Sequence, residues 1–448
     1  MSRLFTVLIT VSVSALLTVS ACAPENSGIP SSELQTSDGT AIAFVGARVI
    51  DGTGAAPIED ATLVIRDGLV MAVGPSASVQ IPEGATSVDV LGKTITPGLI
   101  NAHGHVSFDS EAPSSPADQL MGQLKLYADY GITTVYALGS DGVEAVSLRD
   151  GQEQAPGEGA RLYTSGPNVT AATAEEGRQK VNVVADQTVN IVKTRLDGEE
   201  GSNDRQSPEV YQAIIDEAHS RGLRVAVHMF YLEDARNLVE AGVDILAHSI
   251  RDVDVDQGFI DELIQRDIGY IATLTRDLSV FIYETTPAFF EDPFFLTHVD
   301  AYRDQMIRVS DQALMERTLN DTAPRGAQEI KVALEQANRN LKLLIDGGVA
   351  VAFGTDTGAS VGRWQGYFEH TEMELMAEAG LTPMQILVTA TSGAAKVMRL
   401  DTLLGTLEAG KAADLLVLSE NPLTDIRNMR AIESVWVAGH RQLAVNAR

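Results

Sequence analysis

Six side chains that can bind a metal or move a proton stand at the ends of predicted β-strands. Four of the chain's eight histidines are among them, together with one lysine and one aspartate. They are His103, His105, Lys193, His228, His248 and Asp356. Strand ends in a parallel barrel converge on one mouth, so residues distant in sequence can meet there. The order and types of these residues predict one metal-binding centre.

Two positions show why the pattern favours metal chemistry. His103 and His105 are two residues apart on a strand, so their imidazoles point the same way and can hold one ion. Asp356 could ligate a metal and accept a proton from a water bound to it. A His-x-His pair alone is often structural, and Asp356 could instead cap the following helix. Together with the other strand ends, the metal-binding interpretation is favoured.

Lys193 is the most specific of the six residues. It follows the apolar run 189–192, where a charged and unpaired amine would be costly. Nearby cations would lower its pKa, and a neutral amine can take up carbon dioxide to become a carbamate, an anion that can bridge two metals. The alternative is an ion pair with Asp197, Glu199 or Glu200. Beside four histidines and an aspartate, the sequence favours the carbamate.

The elements that position these residues predict an α/β fold. Eight apolar runs alternate with helical spacing across residues 97–401, as in a (β/α)8 TIM barrel. Gly222 and Gly242 each end a predicted helix shortly before a strand. Short strands over 40–96 and 402–448, including a hairpin that turns at Asp67-Gly68, predict a small β-sandwich domain built from both chain ends.

The stretch after the seventh strand is rich in aromatic residues and too long for a plain crossover. Six phenylalanine and tyrosine residues lie between Phe281 and Phe295. The sequence leaves three interpretations open, namely a lid over the barrel mouth, a hydrophobic cluster under a long loop, and a dimer surface. A homo-oligomer is compatible with the last of these.

The net charge of the chain bears on its binding partners, and its first residues bear on its location in the cell. The formal net charge of the 448 residues is −28, which disfavours nucleic-acid binding. The only cysteine, Cys22, follows a basic start and an apolar run and precludes an internal disulfide. We expect a signal peptide over 1–21, a lipid on Cys22, a tether over 22–39, and a protein anchored in the bacterial periplasm or at the cell surface. An ordinary signal peptide is the alternative.

Two motifs carry a resemblance to a known family. The segment 96–105 reads Thr-Pro-Gly-Leu-Ile-Asn-Ala-His-Gly-His, and the segment 405–418 reads Gly-Thr-Leu-Glu-Ala-Gly-Lys-Ala-Ala-Asp-Leu-Leu-Val-Leu. With the six residues above, the chain resembles the amidohydrolase superfamily. It is most similar to the branch with a carboxylated lysine and two metals, which includes imidazolonepropionase-like proteins and Xaa-Pro dipeptidases.

The resemblance implies a role for each residue. His103 and His105 would hold one metal, His228 and His248 the second, and carboxylated Lys193 would bridge them. Asp356 would ligate the first metal and move the proton of a bridging hydroxide that attacks a carbonyl carbon. Two divalent ions are implied, with zinc the expected metal. The expected activity is hydrolysis of a C–N amide bond in a small peptide or N-acyl amino acid.

Some positions depart from the family pattern or stay open. Asn101 replaces an aspartate that often precedes His-x-His. Tyr231 is a candidate substrate contact, although relatives place a tyrosine one residue earlier. Arg195 and His370 are further unassigned candidates. Three other histidines carry no motif and are expected at the surface, namely His219, His298 and His440. One-metal deaminases of the superfamily lack the lysine, which argues against deamination. Cyclic amides are the alternative substrates, and a non-catalytic, lipid-anchored binding protein on the same fold is the alternative class.

Overall fold

The computed structural model describes residues 39–139, 141–154, 156–198, 201, 205–322 and 325–442. Cys22 and the predicted signal peptide lie outside the described residues, as do Glu199 and Glu200. Within the described ranges, no helix combines the length and the apolar character that crossing a bilayer requires.

One sheet takes strands from both ends of the chain. The N-terminal strands are β1 (Ile42–Val49), β2 (Ile58–Arg66), β3 (Leu69–Pro75), β4 (Thr86–Asp89) and β5 (Thr94–Pro97). The C-terminal strands are β14 (Leu415–Leu418), β15 (Ile432–Val437) and β16 (His440–Arg441). The sheet order is β16-β15-β14-β5-β1-β2-β3, with β4 beside β1. Strand β14 pairs with β5, so the two ends share one hydrogen-bonded ladder.

The far edge of this sheet returns to the segment before β14. Leu69, at the start of β3, forms an antiparallel bridge with Ala412. The Val70 amide donates to the Lys411 carbonyl at 2.8 Å. The predicted hairpin is confirmed, since Asp67 and Gly68 have φ angles of 51° and 76° between β2 and β3. The sheet is therefore strongly curved, with part of its edge β3 bonded to the segment before β14.

Parallel strands make up the second part of the fold. They are β6 (Leu99–Gly104), β7 (Ile132–Ala137), β8 (Arg161–Thr164), β9 (Val192–Arg195), β10 (Val225–His228), β11 (Ile245–Ala247), β12 (Gly269–Ala272) and β13 (Val351–Phe353). One sheet has the order β6-β7-β8 and the other β13-β12-β11-β10-β9. Backbone hydrogen bonds join their edges, from Asn190 N to the Thr164 carbonyl at 2.8 Å and from Thr355 N to the His103 carbonyl at 3.1 Å.

Helices connect these strands and follow them. They are α1 (Pro116–Asp129), α2 (Val143–Gln154), α3 (Ala174–Asp186), α4 (Pro208–Ser220), α5 (Leu232–Glu240), α6 (Gln257–Gln265), α7 (Leu274–Phe281), α8 (Pro293–Leu296), α9 (Val299–Ser310), α10 (Gln312–Thr322), α11 (Ala327–Asp346), α12 (Tyr367–Glu378), α13 (Pro383–Val388) and α14 (Ala394–Met398). Gly222 and Gly242 follow α4 and α5 with φ angles of 72° and 87°, as predicted. The fold is α/β with parallel strands, as the sequence indicates.

One predicted strand boundary was wrong. The sequence places Lys193 at the end of an apolar strand, but β9 runs from Val192 to Arg195 and Lys193 is its second residue. The strand begins at Val192 because pairing with β10 starts there, opposite Val225. Hydrogen bonding to the neighbouring strand, not local hydrophobicity, sets the start of this strand.

The aromatic-rich stretch packs into a cluster around Trp364. The rings of Phe295 and Tyr302 lie 5.1 and 5.3 Å from that of Trp364, centroid to centroid, and all three side chains are buried. The Phe290 ring lies 5.8 Å from Trp364. These contacts favour the hydrophobic cluster over a free lid, because rings packed in this way cannot swing away from the fold without exposing their core.

Candidate metal centre

Five of the six predicted residues come together at the carboxyl ends of the parallel strands, and Lys193 lies at the second position of β9. His103, His248 and Asp356 each offer one ligand atom, and the three atoms lie within 4.8 Å of one another. Asp356 Oδ1 lies 3.4 Å from His103 Nε2 and 2.7 Å from His105 Nε2. One carboxylate oxygen therefore faces both imidazoles of the His-x-His pair.

The remaining residues extend this group across the neighbouring strands. The His248 ring lies 4.5 Å from the His103 ring and 4.6 Å from the His228 ring, centroid to centroid. Lys193 is opposite Ala226 in the ladder, two residues before His228, so Lys193 and His228 point to the same face of the sheet. Lys193 is buried.

Backbone strain accompanies two of the six positions. His248 and Asp356 have φ angles of 71° and 60°, in the left-handed region that side chains other than glycine rarely adopt. Strand β6 has a register irregularity between Asn101 and Gly104, which spans His103. Strained and bulged backbone of this kind is frequent at functional sites, where it aims side chains that regular strands would not.

Neighbouring groups fix the orientation of the imidazoles. His105 Nδ1 is 2.8 Å from the Gly139 carbonyl, and His248 Nδ1 is 2.8 Å from Thr273 Oγ1. These bonds leave Nε2 of both rings for a metal, as second-shell partners do in metal sites. His103 Nδ1 is buried without a hydrogen-bond partner within the described part of the chain. Such a donor set fits a metal ion.

The electrostatics keep three of the four histidines neutral, namely His103, His228 and His248. Burial, with a further contribution from the Lys193 charge, lowers the pKa of His103 to about 3. Burial also lowers the pKa of His228 and His248 well below the usual value. Burial alone would raise the pKa of Asp356, but Arg363 and hydrogen bonds with the two imidazoles hold it well below its usual value. Neutral imidazoles and a carboxylate are the forms that bind metals.

Two arginines contact the other oxygen of Asp356, and neither belongs to a recognisable sequence motif. Arg363 Nη1 donates to Asp356 Oδ2, and Arg276 Nε lies 3.5 Å from the same oxygen. Both guanidinium groups are buried. Arg276 is in the first turn of α7, directly after β12, and that position after a strand end was the only available signal.

Asn101 forms part of a buried polar network. Its Nδ2 donates to Glu369 Oε1 at 2.7 Å and to Thr355 Oγ1 at 2.8 Å, and its Oδ1 accepts the His103 amide at 3.0 Å. Burial raises the pKa of Glu369 to about 7. The amide thus supports the backbone of the His-x-His segment while donating to a buried carboxyl group.

Tyr231, the candidate substrate contact, has its described contacts outside the group of six residues. Its hydroxyl donates to the Gly201 carbonyl at 3.2 Å and accepts from Arg325, and Arg205 stacks on its ring at 4.7 Å. The described hydrogen-bond and ring contacts of Tyr231 involve none of the six site residues. Its role as a substrate contact stays a prediction.

The other open candidates fall in different places. Arg195 is opposite His228 in the ladder between β9 and β10. His370 Nε2 is 2.8 Å from the Tyr130 carbonyl, within the aromatic cluster. The prediction that His298 lies on the surface was wrong, because the folded-over aromatic stretch buries it and lowers its pKa to about 4. Asp197, a candidate partner of Lys193, lies 3.0 Å from His228 Nε2.

Comparisons with known proteins agree with this geometry. The amidohydrolase family model matches residues 94–441. An ochratoxinase of Aspergillus niger is 23% identical over 444 residues, 86% of this chain and 83% of that protein. An imidazolonepropionase of Mycolicibacterium smegmatis is 24% identical, over 81% of this chain and 85% of that protein. An enamidase of Eubacterium barkeri is 26% identical, but the match spans 47% of that protein and 40% of this chain.

Solved structures give the same result. A Bifidobacterium longum protein assigned as a prolidase matches with a TM-score of 0.71 at 27% identity, over 90% of this chain and 94% of that one. A Xaa-Pro dipeptidase with bound methionine matches with a TM-score of 0.68 at 20% identity, over 90% of this chain and 99% of that one. The structural neighbours of this chain are thus Xaa-Pro dipeptidase-like amidohydrolases. The chain belongs to the amidohydrolase family and is a hydrolase that acts on carbon–nitrogen bonds.

Proposed function

We propose that the protein is a metal-dependent amidohydrolase that cleaves the amide bond of a small peptide or an N-acyl amino acid. The observation that carries this proposal is the convergence of His103, His248 and Asp356 on one point, with one ligand atom each within 4.8 Å of the others. An amide carbonyl bound beside this point would be next to buried, preorganised polar groups.

The scaffold we infer is a closed (β/α)8 TIM barrel over 97–401, with a β-sandwich domain over 40–96 and 402–448. Closure is supported by the hydrogen bonds that join β8 to the start of β9 and β13 to β6. It is also supported by a shared inner core with residues from many of the strands, including Ile100, Tyr136, Ala226, Ile245, Ile271 and Ala352. The bonds from β3 to the segment before β14 support a folded-over β domain.

Two divalent ions, with zinc as the expected metal, would be held by the six residues. The ligands would be His103, His105, His228, His248, Asp356 and a carbamate on Lys193. When bound, the ions would supply Lewis-acid polarisation of the amide carbonyl and a water of lowered pKa. The Lys193 assignment is supported by its burial and by its electrostatic effect on three imidazoles.

The chain's own residues would carry the proton. Asp356 Oδ1, which faces the imidazoles, would accept a proton from the attacking water and deliver it to the leaving nitrogen. Arg363 and Arg276 on Oδ2 would hold the carboxylate in this orientation.

Metal analysis and a substrate screen test this function together. Protein loaded with zinc should contain about two ions per chain and hydrolyse dipeptides or N-acyl amino acids. Asp356→Asn should lower kcat by at least about a hundredfold, as loss of a catalytic acid–base group does. His219→Ala, which removes a histidine paired with Asp244 away from the site, is the control and should retain activity. Protein that binds no metal and turns over no amide would support the alternative of a binding protein.

Cyclic amides are the second candidate substrates. The similarity to an imidazolonepropionase over most of both chains favours including them. Hydantoins and imidazolones belong in the same screen. Faster turnover of these rings than of open-chain amides would replace the first candidate by the second.

We also propose that the protein is exported and anchored to a membrane by a lipid on Cys22. The support is the position of the single cysteine after an apolar run. Cys22→Ser should move the protein from the membrane fraction to the soluble fraction, whereas unchanged fractionation would exclude the anchor.

A further inference from the structure

Helix α7 begins against two of the candidate metal ligands. Thr273 is its N-cap residue, and Thr273 Oγ1 lies 2.8 Å from His248 Nδ1. Arg276 is in the first turn of the helix, and its Nε lies 3.5 Å from Asp356 Oδ2. The position of this helix therefore affects the orientation of both ligands.

This helix lacks the side-chain cap that its own N-cap residue could supply. A threonine at the N-cap usually accepts a hydrogen bond from a backbone amide of the first turn. The Thr273 side chain makes no such bond, and its hydroxyl faces His248 Nδ1 instead. Leu274 and Thr275, the first two residues of the helix, are fully buried, so their amides need another acceptor.

Glu372 of α12 supplies the missing cap. Its Oε1 accepts a hydrogen bond from the Leu274 amide at 2.8 Å, and its Oε2 accepts one from the Thr275 amide at 2.7 Å. Glu372 is fully buried. Burial raises its pKa to about 8, while the hydrogen bonds with Thr275 and Leu274 act in the opposite direction. The carboxyl group thus takes the place of the threonine hydroxyl as the acceptor for the first turn.

The same carboxyl group is connected to the loop that carries Asp356. Thr275 Oγ1 lies 2.7 Å from Glu372 Oε2 and 3.1 Å from the carbonyl oxygen of Thr355, the residue before Asp356. The Thr355 amide donates to the His103 carbonyl at 3.1 Å. Glu372 therefore contacts a residue of α7 that also contacts the loop after β13.

We propose that Glu372 is a positioning residue of the metal centre, which caps α7 and thereby leaves the Thr273 hydroxyl to orient His248. This inference rests on the proposed function, because it takes His248 as a metal ligand. Without the carboxyl group, the Thr273 hydroxyl would turn to the amides of the first turn, and His248 Nδ1 would lose its partner. Loss of such a partner lowers metal affinity by about ten- to a hundredfold.

Metal affinity gives the first test of this role. Glu372→Gln keeps the size of the side chain but has only one acceptor oxygen, so it cannot serve both backbone amides. The full-length protein is titrated with zinc in competition with a chelator. We expect the variant to bind one of two ions at least tenfold more weakly than the wild type. Cobalt(II) in place of zinc should show a changed visible spectrum, which reports the ligand geometry.

The metal-free protein gives a second test, which does not depend on the ions. When histidine is isotope-labelled, the ring-nitrogen resonances of His248 report which nitrogen carries the proton and whether it is hydrogen-bonded. His248→Gln assigns these resonances. Glu372→Gln should shift the Nδ1 resonance in the same direction as Thr273→Val, which removes the hydroxyl directly.

Two further variants separate this role from a general loss of stability. Thr382→Ala removes the side-chain cap of α13, in which the Thr382 hydroxyl accepts from the Gln385 amide at 3.3 Å. This matched control should change neither the zinc affinities nor the His248 resonances. In the double variant Thr273→Val with Glu372→Gln, the losses in zinc-binding free energy should not add, because both changes act on one hydrogen bond.

The outcomes separate this inference from the proposed function. Unchanged zinc affinities in Glu372→Gln, an unshifted His248 resonance or additive losses in the double variant would each overturn the positioning role. If Glu372→Gln does not fold, Thr273→Val decides alone, since zinc affinities equal to those of the wild type would overturn the inference. A shifted His248 resonance in a protein that binds no zinc would preserve the positioning of His248 and reject the metal-dependent function.

Discussion

Asn101 shows how one residue departs from the family pattern without loss of structure. Its amide donates to Glu369 Oε1 and Thr355 Oγ1, whereas an aspartate at this position could only accept when ionised. The buried glutamate therefore explains why the amide suits this chain.

Asn101→Asp should lower the free energy of unfolding by about 1–3 kcal/mol above pH 7, because it leaves two buried acceptors facing each other. Urea unfolding at pH 8 measures this cost. The double variant Asn101→Asp with Glu369→Gln should recover most of it, since the new amide can donate to the new carboxylate. A single variant as stable as wild type would contradict the proposed pairing.

The titration of Glu369 gives a second prediction. Burial raises its pKa from 4.5 to about 7, so the folded protein holds this proton more tightly than the unfolded chain. The stabilisation is fully present below pH 4.5 and is lost as pH rises through about 7. Glu369→Gln should flatten the decline in unfolding free energy between pH 4.5 and 7. A variant with the wild-type slope would show that Glu369 does not titrate there.

Whether a residue of the site could be predicted from the sequence depends on the element that carries it. The convergence of the six candidate metal ligands could be predicted because each lies at or near a strand end, and parallel topology brings such ends together. Arg276, Arg363 and Glu369 were not predictable, because loop and helix geometry after the seventh and eighth strands sets their positions. His298 was assigned to the surface because nothing local shows that a long aromatic stretch folds over it.

The aromatic cluster makes a prediction at the scale of these elements. Phe295→Ala should lower the free energy of unfolding by about 3–5 kcal/mol, because the ring is fully buried between Tyr302, Trp364 and Tyr367. Leu296→Ala is a matched control in the same helix, since Leu296 is 40% exposed. The control should cost less than about 1 kcal/mol. Equal effects of the two changes in chemical denaturation would argue against a packed cluster.

At the scale of the whole molecule, metal binding should be coupled to folding. Ions held by residues from several strands bind the folded state alone, so occupancy at a thousand times Kd adds about 4 kcal/mol to stability. Chelation should therefore lower the Tm of the wild-type protein and abolish activity, and zinc should restore both. A variant with His103 and His105 changed to alanine should melt at a temperature much less affected by the chelator. A wild-type Tm that is unchanged by the chelator would argue against a metal that bridges these strands.

Strand β14 lies between β5 and β15, so β5 meets its second hydrogen-bonding partner only after more than 300 further residues have been made. During translation, β1 to β5 must wait with an uncovered edge until the last segments emerge. Contacts this distant in sequence slow the search for the native state, and the waiting edge is open to mispairing with other chains. Shortening the chain at its carboxyl end should thus cause aggregation early in refolding, well before any effect on the candidate metal centre could be measured.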